Sequence, residues 1–266
     1  MPFPCFEGRR KVVVAMAHIG ALPGAPLHDA AGGMAALIDG VAADVARLQD
    51  GGVDAIMFGN ENDRPYLTKA TPESVAAMTA VVAAVKPALR VPFGVNYLWD
   101  PAASVAIAVA TGAAFVREIF TGVFASDMGL WTPDAAAAVR LRATLGRPDL
   151  KLMFNINAEF AHSLDRREIG LRARSAVFSS LADAVLVSGP ITGQPAEMSD
   201  LAAVAEAVRP VPVLANTGVT IDNVAEVMRL ADGCVIGTHF KVDGNTWNPV
   251  DPDRVRRFMD LVNGLR

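Results

Sequence analysis

Eight short apolar runs, three to five residues each, recur along the chain at 12–16, 54–58, 92–95, 114–116, 151–154, 184–187, 212–215 and 233–236, with segments of helical period between them. Runs that are apolar without alternation suit strands buried on both faces, which is the pattern of parallel sheets. Strict strand–helix alternation implies right-handed crossovers. Eight such units in 266 residues favour a closed (β/α)8 TIM barrel, of the α/β class, forming one domain over residues 1–266. An open dinucleotide-binding sheet ranks second, because no GxGxxG follows the first run.

Four dipeptides, Thr71-Pro72, Asp100-Pro101, Thr132-Pro133 and Asp251-Pro252, read as a capping residue followed by proline at the first helical position. A helix over 34–49 is expected to close on Gly51-Gly52, and one over 220–230 to open on a Thr220 cap.

With 24 basic and 28 acidic residues, the net charge of −4 lacks the basic excess that nucleic-acid binding needs. Cys5 and Cys234 are the only cysteines and show neither zinc nor disulfide spacing, which suits a reducing cytoplasm. Residues 1–11 do not read as a secretory signal. The least polar stretch, 102–116, is interrupted by Gly112 and falls short of the ~20 residues that span a bilayer, so no transmembrane segment is expected.

Barrel chemistry sits at the C-terminal ends of the strands, so the polar residues after each run are the candidates. His18 follows the first run and Asn60, Glu61, Asn62 and Asp63 the second; Asn96 follows the third, and Arg117 and Glu118 the fourth. Asn155 and Asn157 follow the fifth, and Ser188 and Thr192-Gly193 the sixth. An imidazole beside a carboxylate suits acid–base catalysis, so His18 and Glu61 are assigned that role. Glu61 and Asp63 could also act as a base, orient His18 or bind a divalent cation with it; no organic cofactor is expected.

Asn60, Asn62, Asp63, Asn96, Asn155, Asn157 and Ser188 can hydrogen-bond a polyhydroxylated ligand, and Arg117 an anion. Adjacent strand residues point to opposite faces, so only one of Arg117 and Glu118 should enter the barrel. Two long segments, 19–33 and 119–131, are expected to act as lids, and the second brings Asp127 toward the ligand as a third catalytic candidate.

The last two runs break into Asn216-Thr217-Gly218-Val219-Thr220 and Gly237-Thr238-His239. At the seventh and eighth strands of such a barrel, turns of this kind hold a phosphate on backbone N–H groups. Thr217, Gly218, Val219, Thr220, Gly237 and Thr238 are the expected phosphate residues, with Lys241 adding charge.

With these residues in hand, five segments of the chain resemble the BtpA family: Met16-Ala17-His18 with Leu22-Pro23-Gly24; Gly52-Val53-Asp54 with Glu61-Asn62-Asp63-Arg64-Pro65; Gly94-Val95-Asn96; Thr121-Gly122 with Asp127-Met128-Gly129; and Thr217 to Thr220 with Asp222-Asn223, Gly237-Thr238, Lys241 and Asn248-Pro249-Val250-Asp251. The chain departs from the family's pattern at Ile19-Gly20-Ala21, where proline is common, and at Asn216, where glycine or serine is usual. The resemblance implies a (β/α)8 barrel and two competing roles, biogenesis of photosystem I or enzymes of sugar or nucleoside metabolism.

The expected function is a cytoplasmic enzyme acting on a small phosphorylated sugar or sugar-like compound, by lyase, isomerase or glycosidic-cleavage chemistry. A non-catalytic assembly factor for a membrane complex and a phosphosugar-sensing barrel are the alternatives. Self-association into a homo-oligomer is expected by analogy with other barrels.

Overall fold

The computed structural model describes Phe6 and residues 8–266. Cys5 and most of the stretch read above for a secretory signal lie outside the described residues. Strands β1 (Val12–His18), β2 (Ala55–Gly59), β3 (Phe93–Asn96) and β4 (Phe115–Glu118) alternate with helices α1 (Gly33–Asp50), α2 (Pro72–Val85) and α3 (Pro101–Thr111). A hairpin, β5 (Phe124–Ser126) and β6 (Gly129–Trp131), precedes α4 (Ala135–Thr144) and β7 (Lys151–Asn155), and a short strand β8 (Ala161–Ser163) precedes α5 (Ile169–Ser180). The chain closes with β9 (Ala184–Val187), α6 (Met198–Val208), β10 (Val213–Ala215), α7 (Val224–Leu230), β11 (Gly233–Ile236) and α8 (Pro252–Asn263).

Eight of these strands form a closed barrel in the order β1-β11-β10-β9-β7-β4-β3-β2, every pairing parallel. All eight apolar runs of the sequence are barrel strands, as the (β/α)8 reading expects. The interior is filled by inward side chains such as Met16, Met57, Phe115, Met153, Leu186 and Leu214. Room for the Phe115 ring comes from Gly94, its partner in the β3–β4 register, where a Cβ would stand 2.1 Å from the ring. The opposite strand faces pack on the helices in a second, larger apolar layer.

At the N-terminal end of the barrel, buried Asp54 accepts from Val13 N at 2.8 Å and pairs with Arg9 at 2.6 Å and with Arg266. This carboxylate ties the two ends of the chain to the barrel floor. Three helix starts fall where the sequence placed them, and Asp100 and Asp251 accept from the first-turn N–H groups of α3 and α8. Two do not. α4 begins at Ala135 because Asp134, not Thr132, accepts from Ala137 N, and α7 begins at Val224, after a turn in which the Thr220 hydroxyl accepts from Asp222 N at 3.3 Å and the Thr220 N–H donates to Asn223 Oδ1 at 2.8 Å.

The 119–131 segment is an ordered hairpin rather than an open lid. With β8 it makes a three-stranded antiparallel sheet, and Trp131 seats it by stacking edge-on to Trp99 at 5.0 Å between ring centroids. The 19–33 segment is also fastened down: Leu22 N donates to Asp63 at 2.7 Å, and Asn62 donates to the Ile19 carbonyl at 2.7 Å. Among the described residues no helix is long and apolar enough to cross a membrane.

Candidate functional site

A cavity of about 300 Å³ opens at the C-terminal mouth of the barrel. His18, the last residue of β1, and Glu61, two residues past β2, face each other in it with Nε2 and Oε1 3.9 Å apart. Glycine at two strand ends makes the space: a Cβ on Gly59 would lie 2.5 Å from the Glu61 carboxylate, and one on Gly237 would lie 3.1 Å from the His18 ring. The His18 Nδ1 and Glu61 Oε2 atoms are buried without a hydrogen-bond partner among the described residues.

Burial sets the protonation of this pair. It pushes the Glu61 carboxyl up to about 7, against the opposing pull of its own backbone N–H and of Arg117. The same desolvation, reinforced by the Lys241 charge, lowers His18 to about 3. The near-neutral titration expected of His18 therefore belongs to Glu61, which at pH 7 can either give or take a proton. His18 is a neutral imidazole that can donate or accept one hydrogen bond.

Arg117, nearly fully buried, organises the centre. Its Nε donates to Asn216 Oδ1 at 3.0 Å, a second nitrogen donates to Asn96 Oδ1, and a third lies 3.5 Å from Glu159. The Asn96 amide nitrogen in turn donates to Glu118, whose other oxygen accepts from Ile119 N at 2.9 Å. Both Arg117 and Glu118 line the cavity, contrary to the one-face expectation, because Glu118 is the last residue of β4 and the alternation relaxes there. Desolvation raises Glu118 to about 7 and Glu159 above the usual carboxylate range.

Several sequence candidates spend their polar atoms inside the protein. Asn60 bonds Asp63 and Leu98 N, and Asn157 bonds both the carbonyl and the N–H of Ser188; neither lines the cavity, nor do Asn62, Asp63 and Asn96. They shape the mouth by fixing its loops. Asn155 does face it, with Nδ2 on the Ser188 hydroxyl at 3.2 Å and Oδ1 unpartnered. Asp127 is corrected outright: it is exposed in the tight turn of the β5–β6 hairpin, away from the cavity lining.

The Gly/Thr turns do meet at the mouth. Gly218 (φ +63°) passes so close to the neighbouring loop that a Cβ would lie 2.1 Å from Pro195 N. Among the described residues, no acceptor meets the N–H groups of Gly218 and Val219. The Thr217 hydroxyl is occupied, donating to Gln194 O at 2.8 Å and accepting from Gly189 N at 2.5 Å, and the Thr220 N–H is held by Asn223. Thr238 shares a 2.8 Å hydrogen bond with Thr246 and faces Gly193 across the gap. Lys241 is the second correction: its ammonium is buried against Asp44 of α1 at 2.8 Å and does not reach the turns.

Sequence reasoning passed over Glu159, Tyr66 and Trp99, all of which line the cavity. Glu159 stood four residues beyond Asn155 and could have been found as the next polar residue of that strand end. The aromatic pair carried no such signal, since each is an isolated ring in a loop.

The BtpA family's sequence model matches residues 9–264. The chain belongs to the BtpA family. It is 47% identical to the sgc region protein SgcQ of Escherichia coli over 97% of each chain. It is 30% identical to the photosystem I biogenesis protein BtpA of Synechocystis sp., over 88% of this chain and 83% of that one. Among solved structures, phosphoribosyl anthranilate isomerase from Thermus thermophilus superposes with a TM-score of 0.60 at 11% identity, covering 96% of this chain and all of that one. A tryptophan synthase structure from M. tuberculosis gives 0.60 at 16% identity, covering 98% of this chain and 95% of that one. At such identities these two speak for the (β/α)8 fold alone. Among the described residues no three His, Cys, Asp or Glu side chains are grouped to hold a metal ion.

Proposed function

We propose that this BtpA-family barrel is a cytoplasmic, homo-oligomeric enzyme that acts by acid–base chemistry on a small phosphorylated sugar or sugar-like metabolite. The observation that carries the reading is the buried Glu61 Oε2, without a partner among the described residues, in a cavity also lined by Gly218 and Val219, whose N–H groups meet no acceptor among those residues. Glu61 moves the proton of a lyase, isomerase or glycosidic-cleavage step. Neutral His18 hydrogen-bonds the same reacting region, and Arg117 and Asn155 hold hydroxyls or a developing negative charge. The Gly218–Val219 turn, with the Thr238 hydroxyl, receives the phosphate.

A second reading, a non-catalytic assembly factor, draws on the name of the Synechocystis relative and on the exposed Leu130 of the small sheet and Leu164 just past its last strand. A thermal-shift panel separates the two. Phosphorylated sugars are expected to raise the melting temperature where the parent sugars do not, because a ligand bound only to the native state stabilises it. Adding a divalent cation alone shows whether one takes part. A flat response to every phosphorylated compound would overturn the enzyme reading and favour the assembly factor.

A further inference from the structure

The cavity is not uniform around its rim. Going round the barrel, the loops after β2, β3, β4 and β7 contribute Tyr66, Leu98, Trp99, Ile119 and Phe160, an apolar and largely aromatic set of side chains beside the charged Glu61, Glu118 and Glu159. The loops after β9, β10 and β11 contribute the small residues Gly193, Gly218, Val219, Gly237 and Thr238 on the other side. Between the two sets lie Glu61 Oε2 and Asn155 Oδ1, buried acceptors with no donor among the described residues. The mouth thus presents apolar rings, hydrogen-bond acceptors and N–H groups that meet no acceptor among the described residues.

A bare sugar phosphate fills only the last two parts. It would leave the exposed Phe160 ring and the partly buried Tyr66 ring uncovered, at a cost that scales with apolar area. The wall of rings is also built against local backbone preference. Trp99 (φ +70°) and Phe160 (φ +56°) are both held in the left-handed region, which costs a bulky L-residue energy, and both line the cavity. Trp99 is fixed further by its edge-on contact with Trp131, and the Tyr66 hydroxyl is fixed on the Glu61 carbonyl at 3.0 Å. Rigid aromatic side chains placed in this way offer a flat surface on which a planar ring can stack.

We infer that the ligand carries a planar aromatic group on its phosphorylated polyol, as a nucleobase is carried on a ribose phosphate, and that this group packs on the Trp99, Tyr66 and Phe160 wall. Its hydroxyls donate to Glu61 and Asn155, and its phosphate lies opposite at Gly218 and Val219. The inference rests on the phosphate reading above and narrows it to one class of ligand.

Isothermal titration of the full chain with ribose 5-phosphate, uridine, uridine 5′-monophosphate and adenosine 5′-monophosphate tests it, in the parent and in Phe160→Ala. Phe160 is 45% exposed, so its truncation should leave the fold intact. The nucleoside monophosphates are expected to bind at least tenfold more tightly than ribose 5-phosphate. Phe160→Ala should weaken them about fivefold or more while leaving ribose 5-phosphate unchanged, as the loss of one stacking partner implies. Equal binding of ribose 5-phosphate and the nucleotides would overturn the aromatic-ligand inference and leave the phosphosugar reading standing. Uridine binding as well as its monophosphate would uphold the aromatic wall and remove the phosphate site. No binding of any of the four would overturn both.

Discussion

Arg117 Nε donates to Asn216 Oδ1 at 3.0 Å, joining the end of β4 to the turn after β10 across the mouth of the barrel. The contact links residues 99 positions apart and makes one guanidinium the common partner of Asn216, Asn96 and Glu159.

Removing that guanidinium leaves Glu159 without its charge partner. Arg117→Met should therefore destabilise the protein by about 3 kcal/mol, the usual cost of orphaning one member of a buried pair. Arg117→Lys keeps the charge but not the planar fork, and should lose ligand response before it loses stability. Urea midpoints at unchanged m-value, beside a ligand thermal shift, separate the two effects.

The Glu61 carboxyl, raised from 4.5 to about 7, predicts a definite pH dependence. Between those values the native state holds a proton that the unfolded state has lost, so this group's stabilising contribution is full below pH 4.5 and is lost as pH rises through 7. Glu61→Gln should thus gain on the parent as pH rises from 4.5 to 7, by on the order of 2 kcal/mol. Denaturation curves across that range check the sign; a constant difference would remove the shift. Where turnover depends on the Glu61 carboxylate, the parent's activity should rise as pH passes through about 7.

Gly218 combines a left-handed φ with a backbone approach that admits no Cβ. Gly218→Ala should cost at least 2 kcal/mol of stability, or shift the turn off the Gln194–Pro195 segment and abolish the response to phosphorylated compounds. A melting curve and one titration decide which occurs.

Lys241→Ala should destabilise strongly, by about 3–5 kcal/mol, because Asp44 would be left buried with only its bonds to Arg47 and Val250 N. A change confined to phosphate affinity, with the melting temperature unmoved, would instead return Lys241 to the phosphate site. Asp127→Ala, in the exposed hairpin turn, should change neither property.

The barrel was legible in the sequence because buried parallel strands must be apolar on both faces, and the eight runs carry that requirement directly. Two of the proline-marked helix starts hold through the side chains that cap them, Asp100 and Asp251. Thr132 and Thr220 misled for local reasons: Asp134, two residues on, took the first-turn N–H of α4, while the Thr220 hydroxyl caps only a turn at Asp222 N before α7 begins. Those are competitions that only the folded geometry resolves.

The candidate site divides in the same way. Position after a strand placed His18, Glu61, Arg117, Asn155 and the Gly218 and Thr238 turns at one mouth, since strand ends in a barrel have nowhere else to go. What each side chain does there was decided by its neighbours. Asn157 turned to the Ser188 backbone, Lys241 to Asp44, and Asn96 to Arg117 and Glu118. The titration near neutrality expected of His18 falls to Glu61 instead, because burial penalises the charged form of each, lowering the imidazole and raising the carboxyl. The sequence by itself determined that polar strand-end residues gather at one mouth; the tertiary structure decided which of them line the cavity and which remain free to meet a ligand, because hydrogen-bond partners and solvent access are set by contacts between distant segments.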